Sequence, residues 1–122
     1  MSVEDMSLPE ALDGFDLTDG LERMLGSPEI YLKFMLKFVQ DHADDARGVR
    51  ENLQKGDRDT AQRLAHTVKG VSGNLSAHDL YAAASRLSDQ IKQGVEDLDG
   101  ALDAFESELK RAVAAVHSLN KV

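Results

Sequence analysis

The sequence predicts an all-α fold: an antiparallel up-down four-helix bundle with a short additional N-terminal helix. Apolar residues recur at i, i+3, i+4 and i+7 along four long stretches, the spacing that gives a helix one buried face. Only two prolines occur, Pro9 and Pro28, so those stretches run without a breaker. Strand signals are lacking, because β-branched residues are sparse and no apolar-polar alternation is sustained. Short connections between long amphipathic helices favour antiparallel neighbours.

Residues 1–13 are polar and weakly patterned and read as a tail or a loosely docked lead-in; residues 14–122 form the bundle domain. Asp16 caps a short helix through Leu25, with Asp19 in the capping-box position and Gly26 at the C-terminal end. Ser27-Pro28-Glu29 opens the next helix as N-cap, first-position proline and first-turn acid. That helix is expected to run to about Lys55, with Tyr31, Met35, Phe38, Val39, Ala46, Val49 and Leu53 as its apolar stripe. Gly56-Asp57 ends it and caps a helix reaching about Leu75, whose stripe is Ala61, Leu64, Ala65, Val68, Val71 and Leu75. Ser76, with Asp79 three residues on, reads as another capping box. Leu80, Ala83, Ala84, Leu87 and Ile91 stripe the following helix, which Gly94 closes. The last helix spans about Asp97 to Leu119 and turns Leu98, Leu102, Phe105, Leu109, Ala112, Val113 and Val116 inward.

The 122 residues are one domain's worth, and 42% hydrophobic content supplies a single core. With 22 acidic and 14 basic residues the net charge is −8, which argues against nucleic acid as a partner. No segment is apolar enough to span a bilayer, and the N-terminus lacks a signal-peptide pattern. There is no cysteine, so disulfides and thiolate metal sites are excluded. These features read as a soluble, cytoplasmic protein, independent of membrane and nucleic acid and monomeric.

The run Ala65-His66-Thr67-Val68-Lys69-Gly70-Val71-Ser72-Gly73-Asn74 carries the functional signal. At about 100° per residue, His66 falls roughly 160° from the centre of the apolar arc. Its neighbours on that outer side are Gln62, Lys69, Gly70 and Gly73. A helical side chain leans toward the N-terminus, so the residue one turn later normally covers the one before. Here that residue is Gly70, and the imidazole is left bare. Each glycine inside a helix costs about 0.5–1 kcal/mol relative to alanine, so two beside one exposed histidine call for a reason.

The run resembles the signature of the histidine-containing phosphotransfer (HPt) domain, in which an alanine and histidine precede a Lys-Gly pair and a small-residue stretch. The resemblance extends from about Gly14 to the C-terminus. Tyr31-Leu32-Lys33-Phe34-Met35-Leu36-Lys37-Phe38 is similar to the family's aromatic-rich helix, and Lys55-Gly56-Asp57 to the turn before the histidine helix. The chain departs from the family at Ser76, where glycine is common, and at Leu87-Ser88, where a Leu-Glu pair is frequent.

The resemblance implies a phosphorelay intermediate of two-component signalling, either free-standing or a module of a hybrid histidine kinase. His66 would accept a phosphoryl group from a receiver-domain aspartate and pass it to another receiver. Lys69 would neutralise charge on the phosphoryl oxygens, while Gln62, Gly70 and Gly73 would meet the partner. The partners implied are response-regulator receiver domains, bound transiently, and a sensor histidine kinase in cis or in trans. The chain would have no cofactor of its own, with Mg²⁺ held by the receiver. It would be a carrier and not an enzyme, since no nucleotide-binding or kinase motif is present. Two other classes compete. An adaptor with a vestigial motif is disfavoured by the intact His66 and Lys69, and a cofactor bundle centred on His42 would have to show itself in an absorbance spectrum or metal analysis.

The remaining histidines have simpler readings. His42 lies near its helix's apolar stripe and reads as a core histidine satisfied by a hydrogen bond. His78 and His117 read as surface residues, the latter suited to a helix C-terminus. Tyr31, Phe34 and Phe38, at helical spacing, read as core packing against the first helix.

Overall fold

The computed structural model describes residues 2–120. After a 3-10 turn at Val3–Asp5 come six helices: α1 Leu17–Arg23, α2 Pro28–His42, α3 Asp45–Gln54, α4 Arg58–Asn74, α5 His78–Lys92 and α6 Asp99–His117. Among the described residues there is no strand, only the isolated bridges Met6 with Asn120 and Leu12 with Phe15. No helix among them is long and apolar enough to cross a membrane.

The helix starts follow from local chemistry. Asp16 accepts a hydrogen bond from the Asp19 amide, Ser27 from Ile30 and Asp57 from Thr60, each satisfying an amide the helix leaves open. α4 packs between α3 and α5, α5 lies against α6, and α6 closes the ring on α2 and α3. Tyr31, Met35, Val49, Val68, Leu87, Phe105 and Val116 are buried at the centre. The N-terminal segment crosses the end of α6, burying Met6 and pairing the Ser7 amide with the Leu119 carbonyl. Arg111 on α6 holds that segment and α5 together through Asp13 and Asp79.

Two expectations are corrected. The helix expected from Ser27 to about Lys55 is two helices, interrupted at Ala43–Asp44. Asp44 and Asp45, at the start of α3, suit the positive N-terminal end of a helix better than a helix interior. α3 therefore restarts there, and the Asp44 carbonyl takes the Gly48 amide. His42 bridges the break, its Nδ1 2.8 Å from Asp45 Oδ2. The apolar stripe carries on through both halves, burying Val39, Ala46 and Val49.

Ser76 does not cap α5. Ala77 occupies that position without a side-chain cap bond, and Asp79 pairs with Arg111. Ser76 is instead buried in the left-handed conformation at φ 59°, and its hydroxyl donates to Asp19 on α1. The Ser76 hydroxyl, followed by Arg23, holds the Asp19 carboxyl below its ordinary range. A glycine would adopt this turn more easily and would keep the backbone bond from the Asp16 amide to the carbonyl of residue 76, but it would lose the hydroxyl's bond to Asp19.

Tyr31 fixes the end of α4 from the other side. Its hydroxyl donates to the Leu75 carbonyl, and burial keeps that hydroxyl protonated. The ring passes over Gly20, where a methyl group would fall within the space of the Tyr31 hydroxyl.

Candidate functional site

α4 presents its outer face between two different flanks. His66 is exposed on the middle turn, and its imidazole makes no hydrogen bond or ion pair with any described residue. At about 100° per residue, Gln62 and Lys69 lie some 40–60° to one side of it, and Gly70 and Asn74 some 40–80° to the other.

The first flank is α5. Gln62 Nε2 donates to Ser88 Oγ at 3.0 Å, so the Leu87-Ser88 departure is where the glutamine is fastened. Lys69 Nζ stands 5.8 Å from the centre of the Tyr81 ring. The same ring leans on Gly73, where a methyl group would lie 3.2 and 3.3 Å from two ring carbons. Ser72, buried beneath, donates to the Lys69 carbonyl at 3.0 Å.

The second flank opens into a groove of about 520 Å³ between α1, α2 and the end of α4. Its walls include Met24, Leu25, Ile30, Phe34 and Val71, with Arg23, Lys37 and Asp41 as charged members and Asn74 at the α4 edge. Leu25 is 92% exposed and Phe34 49%. Leu25 also holds a left-handed φ of 57°, a conformation that costs a branched side chain about 1–2 kcal/mol. Gly70 lies on this side of His66, and a methyl group built on it would meet nothing within 4 Å.

A family model described as the Hpt domain matches residues 33–119, more than two thirds of the chain. The chain belongs to the Hpt domain family. Hpt domains are phosphocarriers of two-component phosphorelays that work with receiver domains, and the helical bundle is the fold expected of one. No curated protein and no solved structure matches the chain.

Within this Hpt domain the α4 face holds all five residues singled out in the sequence, but in two settings. His66 and Gly70 are open to approach, whereas Gln62, Lys69 and Gly73 are engaged by α5. Phe34 is corrected: Tyr31 and Phe38 are buried, but Phe34 faces the groove half-exposed. The signal was present in Ile30, Phe34 and Phe38, whose i, i+4, i+8 spacing forms a second apolar row beside the core stripe. Tyr81 and Leu25 carried no comparable mark. His42 is largely buried at the end of α2, 6.2 Å from Phe38 between ring centres and bonded to Asp45. His78 and His117 are exposed, with His78 Nε2 3.4 Å from Asp16. Among the described residues, no three or more His, Asp or Glu side chains are grouped to hold a metal ion.

Proposed function

We propose that His66 is the phosphoacceptor of this Hpt domain, taking a phosphoryl group from the aspartyl phosphate of one receiver and delivering it to another. The observation that carries the reading is the uncovered imidazole on the outer face of α4, with Lys69 beside it and bare Gly70 next to it. A lone pair on one ring nitrogen attacks phosphorus. The P–O bond to the receiver's aspartate breaks, and its electron pair leaves on the carboxylate. The other ring nitrogen keeps its proton until solvent removes it from the phosphorylated ring. Transfer onward reverses these steps on a second receiver.

Positioning and charge stabilisation dominate phosphoryl transfer. Lys69, one turn from His66, supplies positive charge for the phosphoryl oxygens. The receiver supplies the carboxylate and the Mg²⁺. The apolar groove provides its docking surface: Asn74, at the groove's edge, is two helical turns, about 12 Å, from His66. A receiver helix seated against Leu25, Ile30 and Phe34 would bring its active-site loops over Gly70 onto the imidazole. Such a partner implies a cytoplasmic location and a transient complex. The carrier is free-standing or part of a hybrid kinase.

Incubation with a panel of phosphorylated receivers and Mg²⁺ tests the reading. Label that is acid-labile and base-stable is expected on this chain, and none from ATP and Mg²⁺ alone. Acid-stable label, stoichiometric labelling by ATP alone, or no transfer from any receiver would contradict it.

A further inference from the structure

Tyr81 lies outside the histidine helix, yet its ring reaches onto the face that carries His66. The ring's edge rests against the bare backbone of Gly73, and the Lys69 ammonium stands 5.8 Å from its centre. Tyr81 is nonetheless 41% exposed, so it fills no core position that would account for an aromatic there. An exposed lysine has a flexible four-carbon stem and samples many rotamers. A cation held at an aromatic face is attracted by the ring's quadrupole, the more so where water is excluded. A docked receiver would exclude water from this face.

We propose that Tyr81 is a positioning residue for Lys69. It holds the ammonium on the α5 side of His66, where the phosphoryl oxygens of the transfer step would meet it, and Gly73 lacks a side chain to let the ring lie there. The proposal rests on the role assigned to Lys69 above. It also separates the two glycines: Gly70 leaves room for the receiver, Gly73 leaves room for Tyr81.

The test measures transfer from a phosphorylated receiver to wild type, Tyr81→Leu, Tyr81→Phe, Lys69→Ala and the double variant Lys69→Ala/Tyr81→Leu. Fold is checked by circular dichroism, and the Lys69 ε-methylene proton shift is read by NMR. Wild type is expected to show that methylene shifted upfield by the ring current. Tyr81→Leu should lose this shift and slow transfer about two- to fivefold, the range an exposed cation–π contact supports. Tyr81→Phe, which keeps the ring, should retain both the shift and the rate. In the Lys69→Ala background, Tyr81→Leu should have no further effect. Equal slowing in both backgrounds would overturn the proposal, because Tyr81 would then act without Lys69. So would an unshifted methylene in wild type, or an unchanged Tyr81→Leu rate beside a slowed Lys69→Ala. A Lys69→Ala rate equal to wild type would overturn the role of Lys69 itself and the positioning role with it.

Discussion

Replacing Gly70 sets stability against function at a single position. A methyl group there meets nothing within 4 Å, and the residue lies inside α4, so Gly70→Ala removes a glycine penalty without a clash. The gain is about 1 kcal/mol. For a chain of 122 residues, with an unfolding entropy of about 2.1 cal/mol/K per residue, that raises Tm by about 4 °C. Gly70→Leu should keep most of this gain, since leucine is nearly as good a helix former and its side chain projects into open space. Transfer should move the other way. A leucine stands beside the imidazole on the path toward the groove, and misplacing reacting groups by about 1 Å can cost 10²-fold in rate. Gly70→Leu is therefore expected to transfer at least about tenfold more slowly than wild type, with Gly70→Ala less affected. Thermal melts followed by circular dichroism, paired with transfer from a phosphorylated receiver, read both quantities on the same preparations. A Gly70→Leu variant that transfers at the wild-type rate, or that melts lower than wild type, would refute the reasoning. Gly73→Ala is the internal contrast. Its methyl would press on Tyr81 at 3.2 Å, so its Tm should not rise as Gly70→Ala does.

The groove and the α2–α3 break give further expectations. Leu25→Gly relieves a left-handed leucine and removes an exposed apolar side chain, so it should leave Tm equal or higher while weakening receiver binding in calorimetry; unchanged affinity would remove Leu25 from the docking surface. Gly20→Ala should destabilise by about 1–3 kcal/mol in urea titrations, because its methyl displaces the buried Tyr31 ring; a neutral result would show that the ring moves freely. Burial raises the Asp45 carboxyl above its ordinary value, against the opposing pull of His42. A carboxyl raised in the folded state favours the native protein while protonated, and that contribution fades as pH climbs from 3.8 through the raised value. Asp45→Asn imitates the protonated form, so its stability relative to wild type should improve as pH rises through this window. A relative loss with rising pH would contradict the burial argument.

What could be read from the sequence was local or periodic. Asp16, Ser27 and Asp57 cap their helices because a cap spans three residues and needs nothing from the rest of the chain. The core stripes of α4, α5 and α6 follow from helical spacing, as does the exposure of His66. The errors arose where distant segments decide the outcome. Ser76 has the local pattern of a cap, but Asp19 on α1 claims its hydroxyl. Phe34 shares helical spacing with Tyr31 and Phe38, but the side of α2 on which it lies opens into the groove. Nothing in α4 alone tells Gly70 from Gly73; the difference is the Tyr81 ring, contributed by α5. The interruption at Ala43–Asp44 leaves no mark in the periodicity, because the apolar stripe continues through Val39, Ala46 and Val49 on both sides of it.

Locating the label after transfer from a phosphorylated receiver tests the central claim most directly. Wild type is compared with His66→Gln and with the corresponding glutamine variants of His42, His78 and His117. His66→Gln should fold and melt within about ±0.5 kcal/mol of wild type, as surface substitutions do, and should accept no phosphoryl group. The other three should remain labelled wherever they fold. Label retained on a folded His66→Gln protein, or lost only from one of the other three, would contradict the account.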